Sequence, residues 1–109
     1  MKKEIFLEEF NYYLSIKKQS EKYDKFMKDV FNEERDANFS NWYEQKAYEH
    51  LKKIFQMNYN DNNEWFDYFL FECLFSTSKY PNVITCNNKE YVLIDVESFY
   101  NFCENELRR

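Results

Sequence analysis

Apolar and polar residues alternate along the first half of the chain with the period of amphipathic helices. Apolar side chains recur at i, i+3 and i+4 over residues 3–18, and again after Ser20, which can cap a second helix. A third pattern covers about 41–57, where Phe39 and Ser40 can form a hydrophobic staple and an N-cap. The three apolar faces, predicted to lie in the core, are Phe6, Leu7, Phe10, Tyr13 and Leu14, then Tyr23, Phe26, Met27, Val30 and Phe31, then Tyr43, Ala47, Leu51, Ile54 and Phe55.

Residues 64–75, EWFDYFLFECLF, carry large apolar side chains on nearly every side of a helix. Such a pattern is typical of a buried helix, and each fully buried aromatic or leucine side chain contributes about 1.5–3 kcal/mol. The preceding loop, residues 59–63, offers Asp61 or Asn62 as the cap. We therefore expect a helix over 64–75 at the centre of the core.

The last third of the chain changes to a strand pattern and back to a helix pattern. Pro81 stops any preceding helix, and two short runs rich in β-branched and aromatic residues follow at 83–86 and 91–94. Between them lies NNK, and asparagine tolerates positive φ better than other non-glycine residues, so a tight hairpin is predicted. Asp95 can cap a final helix whose apolar face is Val96, Phe99, Tyr100, Cys103 and Leu107.

These patterns predict a single domain, residues 1–109, of the mainly α, α+β class. We expect about four helices, a short antiparallel β-hairpin near 83–94 and a C-terminal helix. A chain of this length buries about two-thirds of its unfolded surface, which is enough for one core.

The composition excludes several catalytic and nucleotide-binding motifs. The chain contains no glycine, and a phosphate-binding loop, a dinucleotide-binding turn and a serine nucleophile elbow all require it. Aromatic residues make up 22% of the chain, more than a core of this size requires. We therefore expect some aromatic side chains at an interface, of which a homodimer is one form.

Negative charge is concentrated in the second half of the chain. The net charge is −5, and residues 61–109 carry nine Asp or Glu against four Lys or Arg. Because neutralising phosphates requires lysine and arginine, we do not expect direct binding to duplex DNA, and a basic protein is the better partner. Neither a secretory signal nor an apolar run of about 18 residues is present. We therefore expect a reduced, cytoplasmic protein that does not enter a membrane.

Candidate nucleophiles and metal ligands lack the spacing that such sites need. His50 is the only histidine, and the sequence places no nucleophile or further ligands beside it. The cysteines Cys73, Cys86 and Cys103 occupy apolar positions and are explained as core residues, since a zinc site needs a fourth ligand.

Carboxylates that follow a strand are typical of Mg²⁺-dependent nucleases, and Asp95 and Glu97 have this position. However, an N-cap role for Asp95 and a helix-dipole role for Glu97 explain the same residues without a metal. We predict no catalytic residue, no metal site and no cofactor.

A specific arrangement covers residues 64–103: a helix with W-x-x-Y-F-x-x-E, a short hairpin, and an acidic helix with an F-Y-x-F core. In this arrangement the chain resembles small uncharacterised proteins of tailed phages and prophages. Those proteins usually have glycine after the aromatic helix and in the hairpin turn, where this chain has Ser76–Ser78 and Asn88. The resemblance implies a phage or mobile-element origin and brings no catalytic residues with it. The matching positions are Trp65, Tyr68, Phe69, Glu72, Lys89, Tyr91, Leu93, Val96, Glu97, Phe99, Tyr100 and Phe102.

These features favour a small acidic, non-enzymatic protein that binds and modulates a host protein. An acidic half with surplus aromatic residues suits attachment to a basic surface, where its carboxylates stand in for phosphates. The expected host partner is a defence or nucleic-acid-processing enzyme, and anti-CRISPR-like inhibition is one version of this function. The predicted partner-binding residues are Asp67, Glu72, Glu97 and Glu104.

Two other classes of function stay open at this point. Binding of single-stranded nucleic acid requires a basic groove with aromatic residues on which bases stack. The only locally basic surface carries Lys46, Lys52 and Lys53, with Tyr48 nearby. A metal-dependent enzyme is the remaining alternative.

Overall fold

The computed structural model describes the backbone of residues 1–31, 37–62, 64–74 and 82–109, without the side chains at 23–24, 27–28, 30–31 and 37–42. Within these ranges the chain forms four helices and one antiparallel β-hairpin, which confirms the predicted mainly α, α+β class. Two of the helices continue directly into π-helical segments. The elements are α1 (Lys3–Phe31), α2 (Ala37–Asn58), α3 (Glu64–Tyr68) with its π-helical segment Phe69–Cys73, β1 (Asn82–Cys86), β2 (Lys89–Leu93), and α4 (Val96–Phe102) with its π-helical segment Cys103–Leu107.

α1 is one continuous helix where the sequence pattern predicted two. Ser20, the predicted cap between them, lies inside the helix, and its buried hydroxyl has no hydrogen-bond partner among the described residues. Neither glycine nor proline occurs along α1, so no residue in it interrupts the helix. Phe26, predicted to face the core, is 54% exposed. The other four side chains of that predicted stripe lie outside the described part of the chain.

α2 runs antiparallel to α1, as ring contacts of Phe6 with Tyr59 and of Tyr13 with Tyr48 show. It begins at Ala37, so Ser40 lies within the helix and is not the predicted N-cap. The polar stretch 32–38, NEERDAN, is typical of a connection between helices; residues 32–36 lie outside the described residues, and Ala37 and Asn38 belong to α2. Neither glycine nor proline occurs over residues 37–40, so the sequence does not require the helix to begin at Ser40.

The core is a cluster of stacked aromatic rings centred on α3 and α4. Phe99 stacks on Phe69, with ring centroids 4.1 Å apart, and also contacts Phe55 at 5.8 Å and Phe10 at 5.9 Å. Phe66, Phe69 and Leu70 are fully buried, which confirms the central position predicted for this segment, although Phe71 in the same segment is 52% exposed.

The hairpin and the capped final helix form as predicted. Asn87 and Asn88 take positive φ, 51° and 64°, and the strands pair in register from Cys86 with Lys89 to Asn82 with Leu93. The inner face packs on α4, where the ring of Tyr91 lies 5.1 Å from that of Phe102. The outer face of the hairpin therefore points away from the core.

Candidate functional site

The outward face of the hairpin carries three exposed β-branched side chains. Val83 and Val92 pair directly across the two strands and are 50% and 46% exposed. Ile94 follows Val92 by two residues, so it lies on the same face, and it is 60% exposed. Glu90, two residues before Val92, is an exposed acid on this face. We call Val83, Glu90, Val92 and Ile94 the hairpin surface.

Glu106 holds the turn end of the hairpin against the last helical segment. The hydroxyl of Tyr91 donates a hydrogen bond of 2.5 Å to Glu106, and the side-chain amide of Asn87 donates another of 2.6 Å. The thiol of Cys86 lies 3.7 Å from the same carboxylate. The hydrogen bonds from Tyr91 and then Asn87 lower the pKa of Glu106, and the carboxylate in turn raises the pKa of Tyr91 to about 12. Glu106 is therefore charged and the Tyr91 phenol neutral at physiological pH.

A capping box fixes the opposite end of the hairpin surface. The backbone N–H of Ser98 donates to the Asp95 carboxylate at 2.8 Å. The Ser98 hydroxyl accepts from the backbone N–H groups of Asp95 at 3.1 Å and of Ile94 at 3.0 Å. The backbone of Ile94 is thus held directly before the start of α4. Two exposed acids, Asp95 and Glu97, follow it in the chain.

Two of the four predicted partner-binding acids, Glu72 and Glu97, lie at the open end of the hairpin. Glu97 is exposed and forms an ion pair of 2.5 Å with Lys3. The side chain of Glu72 is exposed, and its backbone carbonyl accepts a hydrogen bond of 3.4 Å from Asn82 at the start of β1.

The other two predicted acids, Asp67 and Glu104, are used inside the fold. The hydroxyl of Tyr48 donates a short hydrogen bond to Asp67, which joins α2 to α3. Glu104 accepts a hydrogen bond of 3.2 Å from Tyr100 and lies 3.6 Å from the amino group of Met1, and its side chain is only 23% exposed. The four acids therefore do not form one continuous surface.

The four predicted nucleic-acid-binding residues do not form one groove. Lys46 and Lys53 lie seven residues apart on the exposed side of α2, whereas Lys52 is rotated about 100° from Lys53 around the helix. The ammonium of Lys52 lies 5.7 Å from the ring of Tyr48, which also contacts the ring of Phe66 at 5.8 Å. Burial, followed by the hydrogen bond to the acid on α3, raises the pKa of Tyr48. The Tyr48 ring is thus part of the internal packing, where it offers little room for a base.

The potential nucleophiles have environments that suppress their reactivity. Burial raises the pKa of the Cys103 thiol, and it also raises the pKa of the half-buried Cys73 and Cys86, which disfavours the reactive thiolate. His50 is exposed, with Nε2 3.4 Å from a carboxylate oxygen of Glu9. Among the described residues, no group of three or more His, Cys, Asp or Glu is placed to hold a metal ion. No helix in the described ranges is long and apolar enough to cross a bilayer.

Sequence reasoning missed both Glu106 and the hairpin surface. The period-two alternation of Val83 with Ile84, and of Tyr91 with Val92, is a signal that separates two faces of the hairpin. Which face is exposed depends on the position of α4, which the local pattern does not contain. Glu106 has no local signal, because its partners lie 15 to 20 residues before it in the chain.

Comparisons with known proteins found no match to this chain. No protein-family model matches the chain, and no curated protein or solved structure matches it either. The geometry and chemistry of the described surfaces are therefore what indicates a function.

Proposed function

We propose that this chain is a small non-enzymatic protein of phage or mobile-element origin that binds a host protein in the cytoplasm and modulates it. The partner has a basic surface, as a defence or nucleic-acid-processing enzyme does, and anti-CRISPR-like inhibition is one version of this function. The phage origin comes from the resemblance of residues 64–103, and the binding mode comes from the hairpin surface.

The observation that carries the proposal is the apolar outer face of the hairpin. A sheet with one face on the core normally places polar residues on the other face. Here the paired valines Val83 and Val92, together with Ile94, are about half exposed on that face. Exposed apolar residues surrounded by polar ones are typical of an interaction site, because a partner removes their surface from water.

The charges around this face indicate a basic partner. Glu90 lies on the face itself, and Asp95, Glu97 and Glu72 lie at its open end. Acidic residues around an apolar centre steer a basic partner during diffusion, while the apolar centre supplies affinity. Because the capping box and Glu106 hold both ends of the hairpin, the surface is preorganised, which lowers the entropy lost on binding.

The test compares the host proteins that the wild type and its variants capture from nuclease-treated host lysate, and mass spectrometry quantifies each captured protein. One variant removes the apolar centre with Val83→Thr and Val92→Thr, which keep β propensity. A second variant reverses the charge of one acid on the hairpin surface and one at its open end, with Glu90→Lys and Glu97→Lys. The second change breaks only a surface ion pair of small energetic value. The matched control is the same charge change on the exposed side chains of α1, Glu21→Lys with Asp29→Lys.

The expected result is one dominant host protein that the wild type and the control retain equally and that both hairpin variants lose by tenfold or more. The captured protein is then purified and titrated directly with the same variants. A protein retained equally by all variants would refute the role of the hairpin surface. If the wild type retains no protein above background, the proposal of a host-protein partner is refuted.

A further inference from the structure

α1 and α2 each carry a second apolar row beside the row that faces the core. On α1 the core row is Phe6, Phe10 and Tyr13, and the second row starts one residue earlier in the chain. Both second rows have alternating spacings of four and three residues, the spacing of a helix–helix interface. Among the described side chains, the second row of α1 comprises Ile5, Glu9, Tyr12, Ile16 and Gln19, with Phe26 seven residues further on, and that of α2 comprises Tyr43, Ala47, His50, Ile54 and Met57.

These second rows hold most of the exposed large apolar side chains. Nine large apolar side chains in the described part of the chain are exposed, and five of them belong to these two rows. Scattered exposed apolar residues are ordinary on a protein surface, but their concentration on two adjacent helix faces is typical of an interface. The five are Ile5 at 46%, Tyr12 at 57%, Phe26 at 54%, Tyr43 at 49% and Met57 at 71% exposed.

The two rows line opposite walls of an open groove of about 680 Å³ between α1 and α2. Tyr12 and Ile16 line the wall on α1, and Tyr43 and Ala47 line the wall on α2. Across the groove, Nε2 of His50 lies 3.4 Å from a carboxylate oxygen on the α1 wall. Each wall of the groove therefore carries both apolar and charged or polar side chains, and one polar contact joins the two walls.

The charges of the walls indicate what fills the groove. The wall on α1 carries the acids Glu8 and Glu9, and the wall on α2 carries Lys46 and His50. Tyr43 and Lys46 also have interactions within the chain, and Glu9 lies against His50, so each wall presents to a partner chiefly the sign of its charge. A two-fold axis parallel to the helices places α1 of one copy against α2 of the other, with acid facing base on both sides. A second copy of this chain thus complements both walls at once.

We propose that this groove is the interface of a homodimer, in which α1 and α2 of two copies form an antiparallel four-helix arrangement. The apolar residues of the two rows supply the contact area, and the opposite charges of the two walls orient one copy on the other. This interface is separate from the hairpin surface, and it does not depend on the proposed host partner.

The elongated shape of the molecule indicates that one side of α1 and α2 is not covered by the rest of the chain. The radius of gyration is 15.8 Å, whereas a compact domain of this length has about 13 Å. The long axis measures 52 Å, close to the roughly 44 Å length of a 29-residue helix such as α1. Among the described side chains of α1, the buried apolar residues are Phe6, Phe10 and Tyr13, all in the first half of the helix. Dimerisation would cover the exposed apolar residues of the second rows.

The test is a charge-swap experiment read by sedimentation equilibrium and light scattering. Glu8→Lys with Glu9→Lys makes both walls basic, and Lys46→Glu with His50→Glu makes both walls acidic. We expect the wild type to have twice the monomer mass, and each variant alone to dissociate because like charges then face each other. An equimolar mixture of the two variants should form dimers at least tenfold tighter than either variant alone.

Two further variants serve as a charge-matched control and as a second test of the interface. Glu21→Lys with Asp29→Lys has the same charge change as the basic variant, lies on exposed positions outside the groove, and should remain dimeric. Tyr12→Gln removes an exposed ring without a charge change and should weaken the dimer, which tests the interface if a charge variant fails to fold. A monomeric wild type, variants that stay dimeric, or a mixture that does not associate would each overturn the proposal.

Discussion

Phe99→Ala should remove a large part of the stability of this protein, because Phe99 is the ring on which the aromatic core converges. Its side chain is fully buried and stacks on Phe69 at 4.1 Å and on Phe55 at 5.8 Å. It also makes an edge contact with Phe10 at 5.9 Å, so it joins α4 to α1, α2 and the segment after α3. The matched control is Phe71→Ala, which removes the same atoms from a side chain that is 52% exposed.

The size of the effect follows from burial, ring contacts and the cavity. Full burial of a phenylalanine contributes about 1.5–3 kcal/mol, and each well-oriented ring pair adds about 0.5–1.5 kcal/mol. The close-packed neighbours of Phe99 cannot fully collapse into the space, so we expect a loss of about 3–5 kcal/mol in the free energy of unfolding. Domains of this size are stable by only about 5–15 kcal/mol. The variant should therefore be close to the threshold of unfolding.

The assay is urea unfolding in a Trp42→Phe background, followed by far-UV circular dichroism and by the fluorescence of Trp65, whose ring centroid lies 5.0 Å from that of Phe102. With a slope of about 2 kcal/mol per molar urea, Phe99→Ala should lower the midpoint by about 2 M. Phe71→Ala should lower it by only about 0.4–0.7 M, since about half of this side chain stays in water in the folded protein. All proteins are compared at one concentration, because association contributes to apparent stability.

Equal midpoints for Phe99→Ala and Phe71→Ala would refute the reasoning that the stacked cluster around α4 is the energetic centre of the fold. A large loss for both variants would refute the assignment of Phe71 to the surface. A midpoint shift that appears only in the fluorescence of Trp65 would show local loosening in place of global destabilisation, which also contradicts the prediction.

Two further predictions concern single polar groups. Ser20→Ala should stabilise the protein by about 1 kcal/mol in thermal unfolding, because the buried hydroxyl has no partner in the described residues and because alanine favours helix. The control is Ser15→Ala at an exposed position of the same helix, which measures the contribution of helix propensity alone. In the folded protein the pKa of Glu106 lies below the ordinary value of 4.5. The charged carboxylate therefore contributes to stability at a pH above 4.5, and this contribution is lost as the pH falls through the pKa of the folded state. The Tm difference between wild type and Glu106→Gln should therefore be largest at neutral pH and shrink on acidification. A constant difference would contradict the stabilising role of the hydrogen bonds to the Glu106 carboxylate.

The features that the sequence predicted correctly depend on residues close together in the chain. The hairpin turn follows from Asn87 and Asn88, whose side chains tolerate the positive φ that the turn requires. The start of α4 follows from Asp95, whose carboxylate reaches the backbone three residues ahead. The periods of 3.6 and 2 residues likewise predicted the helices and the hairpin, because they describe repeating geometry within one element.

The same local reasoning was wrong where the pattern offered two solutions of similar energy. Ser20 and Ser40 have the chemistry of N-caps, yet both lie inside helices, because neighbouring residues favour helix and no glycine or proline breaks it. A cap contributes about 1 kcal/mol, and the continued helix with its tertiary contacts outweighs that amount.

The candidate sites were decided by tertiary structure, because charge and apolar character do not reveal which groups meet. Asp67 and Glu104 look like surface acids in the sequence, but Tyr48 and the N-terminus lie against them in the fold. Val92 resembles a core residue, and it is exposed because only the other face of the hairpin packs on α4. The sequence determined the elements and their period, through interactions within a few residues. The packing of distant elements determined which side chains stayed in water, and these are the ones that remain to bind a partner.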